Sequence, residues 1–294
     1  MSYQIKTDEP VAKAVRRIVR GQLKKAIEGG RETSQSVDER VHVVRARLKR
    51  ARAAVKLVHR QVGSAAARDE RWMRELARAL SKARDVAVEA DTLHRLLEQN
   101  PDRVAAGADQ SLRDIGSRLR RRLSPTTIET RVNDVVASLE KGRRRVCRWS
   151  VNHGRRALRQ GLEAAYKRAR RRMRDAVMSE ADGHRAERLH GLRKSIKRLA
   201  MEVAVLRRQA PDLARRLGPA LNELGELLGE VHDLSVLRQT LERELRSPRD
   251  ERNRAILLEL IDRRSALVEA VVSTKAREAL ALRPKMIRRM LSEI

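Results

Sequence analysis

His42-Val43-Val44-Arg45-Ala46-Arg47-Leu48-Lys49-Arg50 recurs later in the chain as His190-Gly191-Leu192-Arg193-Lys194-Ser195-Ile196-Lys197-Arg198. The leading histidines, first arginines, lysines and closing arginines of the two cassettes all stand 148 residues apart. Forty-three residues beyond each histidine comes an aspartate, Asp85 or Asp233, and Leu76/Leu224, Leu80/Leu228 and Val88/Val236 keep the same offset. A register that holds over this length reads as an internal duplication. The expectation is one domain built from two versions of a helical unit, about 8–142 and about 143–294, each carrying a histidine and a row of cations.

Composition narrows what such a unit binds. The chain has 294 residues, a formal net charge of +29 and a pI near 11.5. Self-repulsion on this scale weakens a compact state and points to a polyanionic partner. Arginine supplies most of the cations, and its planar guanidinium grips phosphate oxygens bidentately without losing charge at neutral pH. Solvated helix faces are the bland reading, and the imbalance of sign weighs against it. Phe is absent, and the rings are limited to Tyr3, Trp72, Trp149 and Tyr166. Proteins that hold single strands stack bases on exposed aromatics, so a polyanion without bases fits better. Cys147 is the single cysteine, which leaves no disulfide framework and no cysteine-built zinc site and agrees with a reducing cytoplasm. Neither a signal core nor a run of about 20 apolar residues is present, so a cytoplasmic protein without a membrane partner is expected.

Apolar periodicity is helical nearly throughout, and no alternating run is long enough for a sheet. Gly29-Gly30, Gly63, Pro101, Ser124-Pro125, Gly183, Pro211, Pro248 and Pro284 punctuate it. Between them the pattern predicts helices at 10–28, 37–62, 69–83, 85–99, 102–122, 127–141 and 144–178. The second half is predicted at 184–209, 212–231, 233–246, 249–271 and 274–291. Ser124-Pro125 opens the connection between units. The fold expected is all-α: two pseudo-symmetric antiparallel bundles around a basic cleft or pore.

A helical wheel turns each cassette into a rail. At 100° per residue, His42, Arg45, Lys49, Arg52 and Lys56 fall within about 80° of arc and extend about 21 Å along the axis. Val44, Leu48, Ala51, Val55 and Val58 take the opposite side. In the second copy His190, Arg193, Lys197 and Arg208 share a stripe flanked by Lys194, and Leu192, Ile196, Leu199, Val203 and Leu206 form the apolar face. Ala200 stands where the first copy has Arg52, leaving a gap. Lys13, Arg16, Arg17, Arg20 and Lys24 line another helical face, and the same shift carries Arg20 and Lys24 onto Arg168 and Arg172. For this second tier a merely solvated surface is an equal reading.

The doubled H-x-x-R-x-x-x-K/R-R cassette, followed each time by L-x-x-x-L-x-x-x-x-D, resembles the CHAD family, the conserved histidine α-helical domain, from about Val11 to Leu291. The resemblance implies two pseudo-symmetric helical bundles around a basic cleft, non-enzymatic binding of inorganic polyphosphate, and association with polyphosphate granules in bacteria. By matching position it implies ligand contacts from His42, Arg45, Lys49, Arg50 and Arg52, and from His190, Arg193, Lys194, Lys197 and Arg198. The chain departs at Ala200, and His232 stands where the first copy has Arg84. Some family members are fused to a β-stranded triphosphate tunnel domain opening on E-x-E-x-K. Glu242-Arg243-Glu244-Leu245-Arg246 is the nearest string and reads as helical surface charge, so the stand-alone form is expected.

Other readings compete. Asp85 and Asp233 either orient the histidines, as catalysis would need, or act structurally, as helix N-caps or ion-pair partners. No carboxylate cluster of magnesium-binding character accompanies the cations, which argues against phosphoryl transfer or polyphosphate processing. No metal or other cofactor is expected. A histidine phosphotransfer module carries a glycine where this chain has Ala46 and Lys194. A protein that grips nucleic acid non-specifically by its phosphates remains open on charge alone.

Overall fold

A computed structural model describes residues 3–101, 109–121, 124–177, 184–247 and 250–292. Among them the helices are α1 (Val11–Arg31), α2 (Val37–Leu57), α3 (Ser64–Ala79), α4 (Ser81–Glu98), α5 (Asp109–Arg120) and α6 (Pro125–Gly142). They continue as α7 (Gly154–Val177), α8 (Arg185–Val205), α9 (Pro211–Glu244), α10 (Glu251–Ala279) and α11 (Pro284–Met290). No strand occurs among the described residues, and one isolated bridge joins Val62 to Val151. The all-α expectation is borne out. Gly183, Pro248 and residues 102–108 of the predicted 102–122 helix lie outside the described residues.

The two cassette helices, α2 and α8, are each 21 residues long, and their ends stand 148 residues apart. Local chemistry fixes the start of α2. The Ser36 hydroxyl accepts the Glu39 backbone N–H at 3.3 Å, and the Glu39 carboxylate accepts the Ser36 N–H at 2.9 Å, a reciprocal cap. The apolar faces read from the wheel are buried: Val44, Leu48, Ala51, Val55 and Val58 on one side, Leu192, Ile196, Leu199, Val203 and Leu206 on the other. Burying those stripes turns the opposite, cationic sides away from the core.

Both apolar cores draw on both halves of the chain. The larger joins α1, α2, α3 and α6 to α7, α8, the first part of α9, the end of α10 and α11. The smaller gathers Leu93, Leu96, Ile115 and Leu119 with Leu234, Leu237, Leu241, Leu257 and Leu260. Helix α2 packs on α8 and α4 packs on α9, so the cassettes and the aspartate helices meet across the middle. One crossing is especially close. A Cβ built on Gly161 of α7 would lie 1.7 Å from the Leu57 carbonyl oxygen at the end of α2.

Several predicted boundaries move, for identifiable reasons. The predicted 212–231 and 233–246 helices are one helix, α9, because leucines at 221, 224, 228, 234, 237 and 241 carry the apolar stripe through Asp233. Helix α4 starts at Ser81, placing Asp85 inside it. N-capping by either aspartate is therefore overturned. The predicted 144–178 helix begins only at Gly154. Residues Arg143–Arg148 form a 3-10 turn, pinned by Trp149, whose indole N–H donates to Asp69 at 2.9 Å. Arg16 donates to the Trp149 carbonyl oxygen at 2.6 Å. Here tertiary bonds override helix propensity. The 249–271 helix extends to Ala279, and Pro284 starts a separate α11 rather than lying within a 274–291 helix.

Candidate functional site

The cationic sides of α2 and α8 meet. Lys49 is open to solvent, yet the protein packed around it strips part of its hydration. That loss, then Arg45 on its own helix, then Arg193 and Lys197 from α8 and Arg84 from α4, push its ammonium down to about 8. His42 is lowered as well, first by burial, then by Arg84, Lys49, Arg45 and Lys197. Room on the far wall comes from α9, where Gly225 and Gly229 face the Lys197 side chain. A Cβ on Gly229 would stand 3.5 Å from the Lys197 Nζ and 4.0 Å from the Arg193 Nε.

The aspartates lie in the same hollow. Asp233 is 3.9 Å from the Arg193 guanidinium, and Asp85 acts on both Arg45 and Arg193. Burial raises both carboxyls, cations pull them back, and Asp85 is raised further by Asp233. The ion-pair reading of Asp233 is therefore the one its geometry fits. Among the described residues neither aspartate is hydrogen bonded to His42 or His190. Counting Arg45, Lys49, Arg84, Arg95, Arg193 and Lys197 against Asp85, Asp233 and Glu226 leaves this hollow with three net positive charges. The Arg193 Nε is buried without a hydrogen-bond partner. Arg45 also donates to the Ala77 carbonyl oxygen, which fixes its guanidinium against the end of α3.

A second cluster lies farther along α2. Lys56, His59, Arg168 of α7 and Arg198 of α8 act on one another around Glu202. Glu202 is fully buried, accepts from Arg198 Nε at 2.8 Å, and has its acidity weakened by burial to about 7. Its Oε2 has no partner. Seven residues separate Lys49 from Lys56, about 10 Å along the axis. Arg52 and Lys56 share Glu70, at 2.8 and 3.6 Å, so part of the first rail is already neutralised within the fold.

Some predicted residues fall elsewhere. Arg50 is exposed and lies 5.9 Å above the Tyr3 ring; its position on the wheel is about 100° from that of Lys49. Arg208 lies in the turn after α8 ends at Val205 and so cannot share the helix stripe. Arg20 and Lys24 are exposed on α1, with Lys24 3.5 Å from Glu28. Arg17 is held by Glu9. Lys194 is exposed at the edge of the hollow and acts on both His190 and His232. Arg172 lies over Gly191 beside the second cassette.

Sequence reasoning missed Arg84, His232 and His59 as members of these clusters. The signal for the first two was the 148-residue offset: Arg84 and His232 are 148 residues apart and each immediately precedes a hollow aspartate. His190 Nδ1 lies 3.1 Å from His232 Nδ1, with ring centroids 4.3 Å apart. Among the described residues no group of three or more His, Cys, Asp and Glu side chains is arranged to hold a metal ion. None of the described helices is long and apolar enough to cross a membrane.

A comparison with curated proteins finds no match. Among solved structures, the CHAD domain from the plant Ricinus communis superposes with a TM-score of 0.67 at 20% identity, over 96% of each chain. That likeness establishes the fold. The family model for the CHAD domain matches residues 12–242, most of the chain and both cassettes. The chain belongs to the CHAD domain family.

Proposed function

We propose that the protein binds linear inorganic polyphosphate, without chemical change, in the hollow between α2 and α8. The observation that carries this reading is the crowding of Lys49 by Arg193 and Lys197 across the two halves. Like charges held this close are unfavourable unless an anion joins them. A flexible polyanion can engage several cations at once, from the central cluster to Lys56, Arg168 and Arg198, and gains avidity that a single phosphate lacks. The few rings favour a ligand without bases, since Trp149 and Tyr166 are buried in the core. Family membership supports a polyphosphate-related role, and association with polyphosphate granules in the cytoplasm follows as the cellular part of the proposal.

A non-enzymatic role fits the chemistry of the hollow. Its aspartates are occupied by arginines and lysines, and its histidines are depressed first by burial and then by neighbouring cations, with only Glu187 opposing at His190. Calorimetry at moderate salt with long-chain polyphosphate, orthophosphate and duplex DNA tests the proposal. Long-chain polyphosphate is expected to bind tightest and orthophosphate weakly. Duplex DNA binding as tightly as polyphosphate would instead favour a general phosphate-backbone binder.

A further inference from the structure

The two halves of the hollow are built differently at one position. The first has Arg84 immediately before Asp85, a permanent cation acting on His42, Lys49 and Asp233. The second has His232 immediately before Asp233, and its imidazole is hydrogen bonded to His190 through the two Nδ1 atoms, 3.1 Å apart. We infer that this imidazole pair makes the second half a proton-linked anion site, in which a bound phosphate chain and one extra proton are taken up together. The inference rests on the polyphosphate reading above.

The geometry gives the pair room for one proton. In its neutral state one ring donates its Nδ1–H to the bare Nδ1 of the other, leaving the Nε2 of the donor ring free. Adding a proton to that Nε2 makes an imidazolium whose Nδ1–H still donates, now as a charge-assisted bond. Only a second proton has to break the pair. The free protein disfavours that imidazolium. Burial comes first, then Arg193, His190, Lys194 and Lys197, and together they push His232 down to about 3. His190 is lowered by burial, then by Lys194 and Arg193, with Glu187 opposing.

The neighbouring anions do not outweigh this field: Glu187 of α8 opposes it at His190, Asp85 of α4 acts on Arg45 and Arg193, and Glu226 of α9 acts on Lys197. On α9, Asp233 is turned to Arg193. On α7, Arg172 lies over Gly191, next to His190. On α10, Arg264 is held by Glu230 of α9 at 2.6 Å, and Glu269 by Arg185 of α8 at 2.7 Å. From α2 and α4 come further cations, Lys49 and Arg84, which act on Arg193's neighbours Lys197 and Asp233. A phosphate chain laid against Arg193, Lys194 and Lys197 replaces that positive field with a negative one. The imidazolium then becomes the favoured form, and by reciprocity the proton strengthens phosphate binding as much as phosphate strengthens proton binding.

Titration calorimetry with long-chain polyphosphate at pH 6 and pH 8, in buffers of unequal protonation enthalpy, tests this on wild type, His232→Arg, His232→Gln and His190→Gln. Circular dichroism of each variant checks its folding. Lys49 and His42 also titrate, but they contribute to every variant alike, so the difference between proteins is the readout. Wild type is expected to take up close to one more proton per chain at pH 6 than His232→Arg, and to gain about fivefold more affinity between pH 8 and pH 6. His190→Gln and His232→Gln should each lose the extra uptake. Equal proton uptake in wild type and both glutamine variants, with polyphosphate still bound, overturns the proton linkage and leaves the binding proposal standing. Absence of polyphosphate binding at either pH overturns the binding proposal itself.

Discussion

Lys49 is the residue on which opposing demands of stability and binding meet. Its ammonium is depressed to about 8 in the folded protein, against an ordinary value near 10.4 when unfolded. The unfolded chain therefore holds more protons between these values, and stability rises as pH climbs through them. At neutral pH the full penalty is present, softened because the side chain remains open to solvent. Lys49→Gln is expected to raise the melting temperature at pH 7 by about 1–3 °C, an advantage that shrinks by pH 10, as differential scanning calorimetry would show. The same variant should weaken long-chain polyphosphate binding by about tenfold, the loss of one charge-assisted contact. The rails were legible in sequence because the 3.6-residue period alone lays His42, Arg45 and Lys49 along one side. That Arg50 leaves the hollow for Tyr3, and that Arg52 is taken by Glu70, was not legible. Those outcomes depend on partners 47 and 18 residues away, which no local period encodes.

At the scale of helices, the crossing of α7 over the end of α2 sets how closely the two halves approach. Gly161→Ala would force a methyl into the Leu57 carbonyl, where rigid backbone cannot yield as a flexible side chain can. A loss of about 2–3 kcal/mol is expected in chemical denaturation. Gly116→Ala on α5 is the contrasting case. Among the described residues its new methyl would meet only Leu93 Cδ2, at 3.8 Å, so better helix propensity should dominate and stabilise by about 0.5–1 kcal/mol. Most helices were readable from periodicity and from Gly and Pro, and α2 down to its first residue, because Ser36 and Glu39 carry their own capping chemistry. Where the reading failed, a polar residue was given a local role that tertiary structure had claimed. Asp233 reads as a cap, but inside α9 it faces Arg193. The start of α7 was misplaced because Asp69, remote in sequence, holds Trp149 through the intervening turn.

For the molecule as a whole, a net charge of +29 governs behaviour in solution. Screening should relieve the self-repulsion, so the melting temperature is expected to rise as sodium chloride is added to a low-salt buffer, opposite to a fold held by surface ion pairs. Long-chain polyphosphate should raise it at far lower concentration, because a ligand of the folded state stabilises by mass action. The central claim is that one strip from each half contributes to a single hollow, and its most direct test is the salt dependence of polyphosphate affinity for wild type, Lys49→Gln, Lys197→Gln and the double variant. These lysines suit the test better than Arg45 and Arg193, which also bond Ala77 and Asp233. The account predicts that each single variant flattens the slope of log affinity against log salt by about one unit, and that the double flattens it by about two. Slopes that match wild type in all three variants would contradict it.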